Sequence, residues 1–576
     1  MHLPYLTEIP TTRDMIQEFR GYNHNDVIRE NEFYDMQNMT SSRYPVLSPR
    51  EKRGVLQEIT KPNGIFSKGR LYWVDGTSFY GNDGDDGETM LRGAVADSSK
   101  MFASMGAYLL IWPDKKFYNT STKLFGDLEK VWEAAADTNI SLTLAKLNYE
   151  SKATEDFTDA ITVSATAPEN PADGLYWYDT SPNPDVLKRW SASAKSWIPA
   201  ATTYVKISAP NIGVGFSRND GVKIDGCTNT VFNQTFVIQD VAQDYITIIG
   251  ILQTTHAQVG GLSVSRTVPD IEFITEADNR LWGCSSEKHE IYSCKLGDPF
   301  NWNCFEGIAS DSYAATIGSD GDFTGAVTYA GYVWFFKEGC VHKIMGSKPA
   351  NYQLTEMVLR GVEKGSERSL SIVNETLYYK SRNGIVAFQG GMPENISDAL
   401  GNVKYRNAAA GALGDKYYIS MQDSSGGWHM FVFDERRGMW HREDNIHAAD
   451  FVLLNGSLYF TNAADNKVYS VTGSDGDEIE WFVETGDLGM NSPDRKHISK
   501  IILRMELETG SSISVGMQFD SEGDWKTVYR ADTNRKRSFL IPVIPYRCDH
   551  FRIRIAGKGV CKIFSISKVT EQGSEL

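Results

Sequence analysis

Residues 375–390 read ETLYYKSRNGIVAFQG, two apolar runs on either side of a polar turn, and residues 456–471 read GSLYFTNAADNKVYSV, the same pattern in different residues. The pattern recurs in GRLYWVDGTSFYG (69–81), GAYLLIWPDKKFYN (106–119), NRLWGCSSEKHEIYSCKLGD (279–298), GYVWFFKEGCVHKIMG (331–346) and DKYYISMQDSSGGWHMFVFD (415–434). The first apolar anchors are Leu71, Tyr108, Leu281, Val333, Leu377, Tyr417 and Leu458. From Leu281 onward they step by 52, 44, 40 and 41 residues, and Leu71 to Tyr108 is a step of 37. That is the span of one four-stranded blade of a β-propeller. A lone hairpin pair cannot bury both faces, whereas blades set side by side bury one another and leave only short edges. The expectation is an all-β chain whose main body is a propeller of six or seven blades. A set of unrelated hairpins in separate sandwiches is the alternative.

The step from Tyr108 to Leu281 is 173 residues, which leaves about 130 residues of inserted domain once one blade is subtracted. The insert is placed at 123–269 and read as small and β-rich. TKLFGDLEKVWEAAAD at its start predicts a short helix, with Leu124, Leu128, Val131 and Trp132 on one face. YVKISAPNIGVGFSRNDGVKIDGC and QTFVIQDVAQDYITIIG alternate as strands of a small barrel or sandwich. Residues 479–576 read as a C-terminal β-sandwich, since HFRIRI alternates cleanly and sends Phe551, Ile553 and Ile555 to one face. The remaining spans are 1–60, an N-terminal arm and first strands, and the two propeller parts at 61–122 and 270–478.

The chain carries a net charge of −16, which argues against a surface that grips nucleic acid, because phosphate affinity needs clustered Lys and Arg. The balance is uneven: residues 491–576 hold 15 Lys+Arg against 10 Asp+Glu, leaving 43 against 64 on residues 1–490. No apolar run is long enough to span a bilayer, and the N-terminus lacks the pattern of a signal peptide. Seven scattered cysteines fit small buried thiols better than a disulfide framework. The chain is therefore expected to be made in the cytoplasm.

No pattern of catalytic residues stands out. Asp434, Glu435 and Asp311 are carboxylates a glycosidase could pair, but a chain with 74 acidic residues offers such coincidences by number alone. FDSEGDWKTV resembles an Asp-box, but Asp520 is three residues before Gly523 rather than two. Cys284, His289, Cys294 and Cys304 have the residue types of a zinc site without a Cys-x-x-Cys pair, and Cys340 with His342 is a weaker case. Asp83, Asp85 and Asp86 in GNDGDDGE do not follow the EF-hand order of calcium ligands. Neither a phosphate loop nor a nucleophile elbow is present. The reading is a non-enzyme with no cofactor, no metal and no catalytic residue. Two interaction surfaces are nominated: Arg535, Lys536 and Arg537 in the basic tail, and Trp177, Trp190 and Trp197 in the insert, which form either a mini-domain core or a sugar-stacking platform.

Several stretches resemble one family. FRGYNHNDVIRENEFYDMQNMTSSRYPVLSPREKRG (19–54), NRLWGCSSEKHEIYSCKLGDPFNW (279–302), the run of hairpins from Trp334 to Gly391, and ISVGMQFDSEGDWKTVYR (513–530) are similar to the tail-nozzle proteins of short-tailed bacteriophages. APENPADGLYWYDTS (167–181) resembles small modules of phage structural proteins. The resemblance covers most of the chain outside 123–165. It implies a virion protein of the tail, a homohexameric ring below the portal and adaptor, in contact with other tail proteins. Such a ring closes the capsid and conducts viral DNA through its lumen without reading sequence, and no membrane insertion is involved. Two alternatives remain: a phage glycan- or receptor-binding depolymerase propeller, and a cellular propeller scaffold.

Overall fold

The structure is a computed structural model that describes residues 11–82, 87–474, 476, 478–491, 495–532, 537–544 and 546–572. The described residues form strands and short 3-10 turns, with no α-helix among them. Seven four-stranded sheets follow one another in chain order. Taking the second strand of each as its marker, they contain Leu71–Asp75, Tyr108–Trp112, Arg280–Ser285, Tyr332–Lys337, Thr376–Ser381, Lys416–Asp423 and Ser457–Asn462. The seventh sheet takes its fourth strand from before the first: Lys467–Ser470 pairs with Val55–Glu58. That strand swap is the device that completes the last blade of a β-propeller, and it removes the edge a chain-order sheet would leave open.

The second strands explain why the repeat was audible in the sequence. Arg280–Ser285 and Thr376–Ser381 are buried at every position, because each lies under neighbours on both faces. They read as continuous apolar runs instead of alternating ones. The hairpins leading into them reuse one device, with two consecutive residues of positive φ at Asp278-Asn279, Ala330-Gly331, Asn374-Glu375 and Asn455-Gly456. This is the geometry that matches the twist of paired strands.

By its contacts the chain divides into two compact units, residues 1–100, 335–342 and 356–576, and residues 101–334 and 343–355. In the first, Leu71 and Trp73 of the first blade pack with Val452 and Val468 of the seventh, and Tyr418, Met430 and Val432 of the sixth pack with Leu458 and Phe460 of the seventh. In the second, Leu110 and Trp112 of the second blade share a core with Leu281 and Cys294 of the third.

The insert is a nine-stranded curled sheet, from Lys130–Glu133 to Ser263–Arg266, around a core that includes Val205, Ile207, Ile224 and Ile248. Nested within it, residues 161–199 form a separate four-stranded sheet. The expected helix at its start is not formed. Phe125–Asp127 is the fourth strand of the second blade, and Lys130–Glu133 pairs with Ser263–Arg266. The four residues read as one helical face do not share one: Leu128 is fully buried, while Leu124 and Val131 are 57% and 51% exposed. Pairing to preformed sheet edges outweighs a weak local helical pattern.

The sandwich has two sheets. In one, Lys496–Leu507 and Cys561–Gln572 are central; in the other, Ser512–Phe519 and Phe551–Lys558 are. Phe551, Ile553 and Ile555 are fully buried on the inner face. The sandwich is not confined to 479–576, because the N-terminal arm supplies an edge strand to each sheet. Thr11–Ile16 pairs with Cys561–Gln572, and Phe33–Gln37 with Glu480–Thr485. Between these strands the arm runs along the sixth blade, where the Tyr22 amide donates to the Trp440 carbonyl (2.7 Å). Gly21 makes this approach feasible, since at φ +80 a Cβ would lie 2.3 Å from the Trp440 oxygen. Gly21→Val is expected to cost more than about 2 kcal/mol in urea unfolding. Gly69→Ala, at φ +65 in open space, should cost only the backbone strain of about 1 kcal/mol.

Candidate interaction surface

The carboxylates singled out from sequence serve turns. Asp434 is buried, accepts from the Arg437 amide (3.1 Å) and guanidinium (2.9 Å), and accepts from the Ser41 hydroxyl (2.5 Å). Glu435 accepts from Asn374 (2.8 Å). Asp311 accepts from three successive amides, Glu306, Gly307 and Ile308, at 2.7, 2.6 and 3.0 Å. Asp520 and Ser521 both have positive φ and form the tip of a hairpin.

All seven cysteines are free and buried. Burial pushes the Cys294 thiol up to about 12, so it is neither a ready ligand nor a nucleophile. Cys284, His289, Cys294 and Cys304 are not brought together. Among the described residues, the one grouping of three potential ligands within 4.8 Å of one another is Cys304, Glu306 and Asp311. The Lys295 ammonium stands 3.2 Å from the Cys304 sulfur, so a metal ion there would face a fixed positive charge. Asp83, Asp85 and Asp86 lie outside the described residues.

Trp177, Trp190 and Trp197 do come together, on adjacent strands of the nested sheet. Trp190 and Trp197 are register partners. The ring centroids are 5.3 Å (Trp177 to Trp197) and 5.4 Å (Trp190 to Trp197) apart, at interplanar angles of 63° and 65°. Trp177 is buried, donates to the Ser164 carbonyl (3.0 Å) and lies under the Lys188 ammonium (4.8 Å). Lys188 in turn pairs with Asp179 at 2.7 Å. Rings inclined in this way pack edge to face as a small core, which leaves Trp190 and Trp197 partly exposed but not coplanar.

Arg535 and Lys536 lie outside the described residues, and Arg537 begins the strand Arg537–Pro542. The basic character expected of the tail is visible on the outer face of the sandwich. There a groove of about 770 Å³ is lined by Arg530, Arg554 and Lys558 together with Glu480 and Asp532. Arg554 lies over the Phe482 ring at 4.4 Å.

A second basic groove was not found from sequence. It lies between the arm and the last hairpin of the sixth blade, has a volume of about 700 Å³, and is lined by Arg20, Arg29, Arg436, Arg437, Asn23 and Glu32, among others. Its walls are fixed from both sides. Asp434 caps the turn that carries Arg436 and Arg437, and Glu32 accepts from the Asn23 side chain and the Arg29 amide, both at 2.9 Å. The Arg437 guanidinium lies 5.0 Å from the Tyr44 ring centroid. The hydrogen bond from Tyr44 (2.5 Å) and the Arg20 guanidinium hold Glu18 below the usual carboxylate range. The sequence signals are the turn ERRG and the stretch EFRG, more than four hundred residues apart. Chemically this is a set of forked donors suited to carboxylate or phosphate oxygens.

No family model matches the chain, and no curated protein matches it. Among solved structures it is similar to U3-55K (8% identity over 73% of this chain and 97% of that one, TM-score 0.32). It is also similar to the RRP9 WD40 repeats (8%, 74% and 98%, 0.33) and to BamB from Moraxella catarrhalis (13%, 59% and 95%, 0.25). The propeller assignment rests on the sheets themselves.

Proposed function

We propose that this chain is a structural subunit of the tail nozzle of a short-tailed bacteriophage, a ring component that retains packaged DNA and conducts it on ejection. The observation that carries the reading is the way the chain ties its parts together. One N-terminal segment supplies an edge strand to each sheet of the sandwich, runs along the sixth blade and then closes the seventh. A segment shared in this way resists separation of the propeller from the sandwich under load, which a conduit needs. The resemblance of residues 19–54 to nozzle proteins falls on this same segment. The overall negative charge agrees in sign, because an acidic lining lets DNA slide where a basic one would hold it.

The test is the particle. The purified full chain, or virions carrying it, should show sixfold rings by electron microscopy, with DNA neither retarded nor bound at about 0.15 M salt. A chain that stays monomeric at every concentration and shows no ring in virions would overturn the reading. A second reading, a glycan- or receptor-binding propeller protein of phage origin, is favoured by the partial exposure of Trp190 and Trp197. It predicts a trimer and polysaccharide binding that Trp190→Ala abolishes.

A further inference from the structure

The groove between the arm and the sixth blade holds more positive charge than its own carboxylates balance. Arg20 pairs with Glu18 (3.1 Å) and Arg437 with Asp434 (2.9 Å). Arg29 and Arg436 are exposed and make no side-chain hydrogen bond or ion pair among the described residues. Two unpaired guanidinia facing one cavity repel each other, a cost that an isolated subunit would avoid by spreading them over its surface. They stand out further because the chain as a whole is at −16 and residues 1–490 hold 43 Lys+Arg against 64 Asp+Glu. The backbone that carries them is anchored, by the Asp434-capped turn on one wall and by the Arg29 amide donating to Glu32 on the other. At the lip, Val27 is 90% exposed and Tyr44 is half-buried, so the opening combines apolar surface with forked donors.

We propose that this groove receives a carboxylate-bearing segment of a second copy of this chain. Charge complementarity names the occupant: in a chain with this excess of acid, a neighbouring copy is the most abundant source of carboxylates. A basic groove filled by an acidic segment is a contact between two different surfaces. A contact of that kind can repeat head to tail, and it closes into a ring where the rotation between neighbours closes. The proposal rests on the ring reading above and supplies its interface.

The full chain is measured by sedimentation across salt concentrations. Assembly should weaken as salt rises, and Arg29→Glu with Arg436→Glu should weaken it by about 100-fold. At a concentration where parent and double variant are both monomeric, their thermal midpoints should agree, because both positions are exposed; a misfolded variant would melt lower. Arg436→Lys keeps the charge and supplies an amine, which a zero-length carbodiimide should join to an Asp or Glu of another copy. The proposal alone is overturned if rings form and the double variant assembles like the parent, or if the crosslinks at position 436 fall only within one chain. It is likewise overturned if the variants lose binding of a DNA oligonucleotide and keep assembly. A parent chain that forms no oligomer under any condition overturns this proposal and the ring reading together.

Discussion

Arg53→Ala is expected to destabilise the protein by about 3–5 kcal/mol, the cost of leaving buried carboxylates without their cation. The Arg53 side chain is 5% exposed and bridges two acids of the sixth blade, Glu443 at 2.5 Å and Asp444. Arg50 joins the same pair, donating to Asp444 at 3.3 Å and to the Asn38 side chain at 2.9 Å. The Arg53 guanidinium also lies over the Phe460 ring at 5.0 Å, in the seventh blade. Arg53 stands two residues before Val55–Glu58, the strand that completes the seventh blade, so its loss would strike where that strand is anchored. Urea unfolding followed by tryptophan fluorescence measures the effect. Arg53→Lys keeps the charge but cannot bridge two acids with one planar fork, and should recover part of the loss. Arg53→Met combined with Glu443→Gln and Asp444→Asn should recover most of it, because apolar and neutral replacements remove the desolvation problem along with the bridge. A loss under about 1 kcal/mol for Arg53→Ala would mean that the cluster is hydrated and contributes as surface pairs do.

This cluster also shows where the sequence was legible and where it was not. Residues 50–54, REKRG, end the stretch that resembles nozzle proteins, but nothing local says that their arginines meet Glu443 and Asp444, some 390 residues away. The blades were legible because their second strands are covered on both faces, so LYWV, VWFF and LYYK announce themselves without any partner being known. The closing strand VLQE was not, since an edge strand of mixed polarity has no such signature. The arm was opaque for the same reason: Thr11–Ile16 is mostly exposed, and its partner strand begins at Cys561. The expected helix at 122–137 failed because four apolar residues at helical spacing were divided among a blade core, a sheet edge and solvent. The tryptophan cluster was legible as a group because its members lie within twenty-one residues. The arginine groove was not, because each half carries too little charge to stand out until the fold sets residue 29 beside residue 436.

Acid is expected to weaken the fold well above the carboxylate range, and His441 should account for the largest single part. His441 lies on the last strand of the sixth blade, 3% exposed, and its Nδ1 has no hydrogen-bond partner among the described residues. Burial first, then the positive charges of Lys416 and Arg437, push it down to about 3, against an opposing pull from Asp434. The folded pKa is below the unfolded value of about 6.5, so between the two the unfolded chain binds the extra proton, and stability falls as pH drops through that window. At about 1.4 kcal/mol per unit the full loss is on the order of 5 kcal/mol, reached only near pH 3. His342 and His447 are also held down by burial and act in the same direction. Asp450 and Glu484, held above the usual range by burial, act in the opposite direction once the carboxylates titrate. Between pH 6.5 and about 5 the comparison of the parent with His441→Gln isolates this histidine, because the two chains share every one of these other groups. Urea midpoints across that interval should fall for the parent chain and fall much less for His441→Gln, which fills similar space and cannot take up a proton. Parallel slopes for parent and variant would place the acid sensitivity elsewhere and show that the ring of His441 reaches water or a partner when it becomes charged.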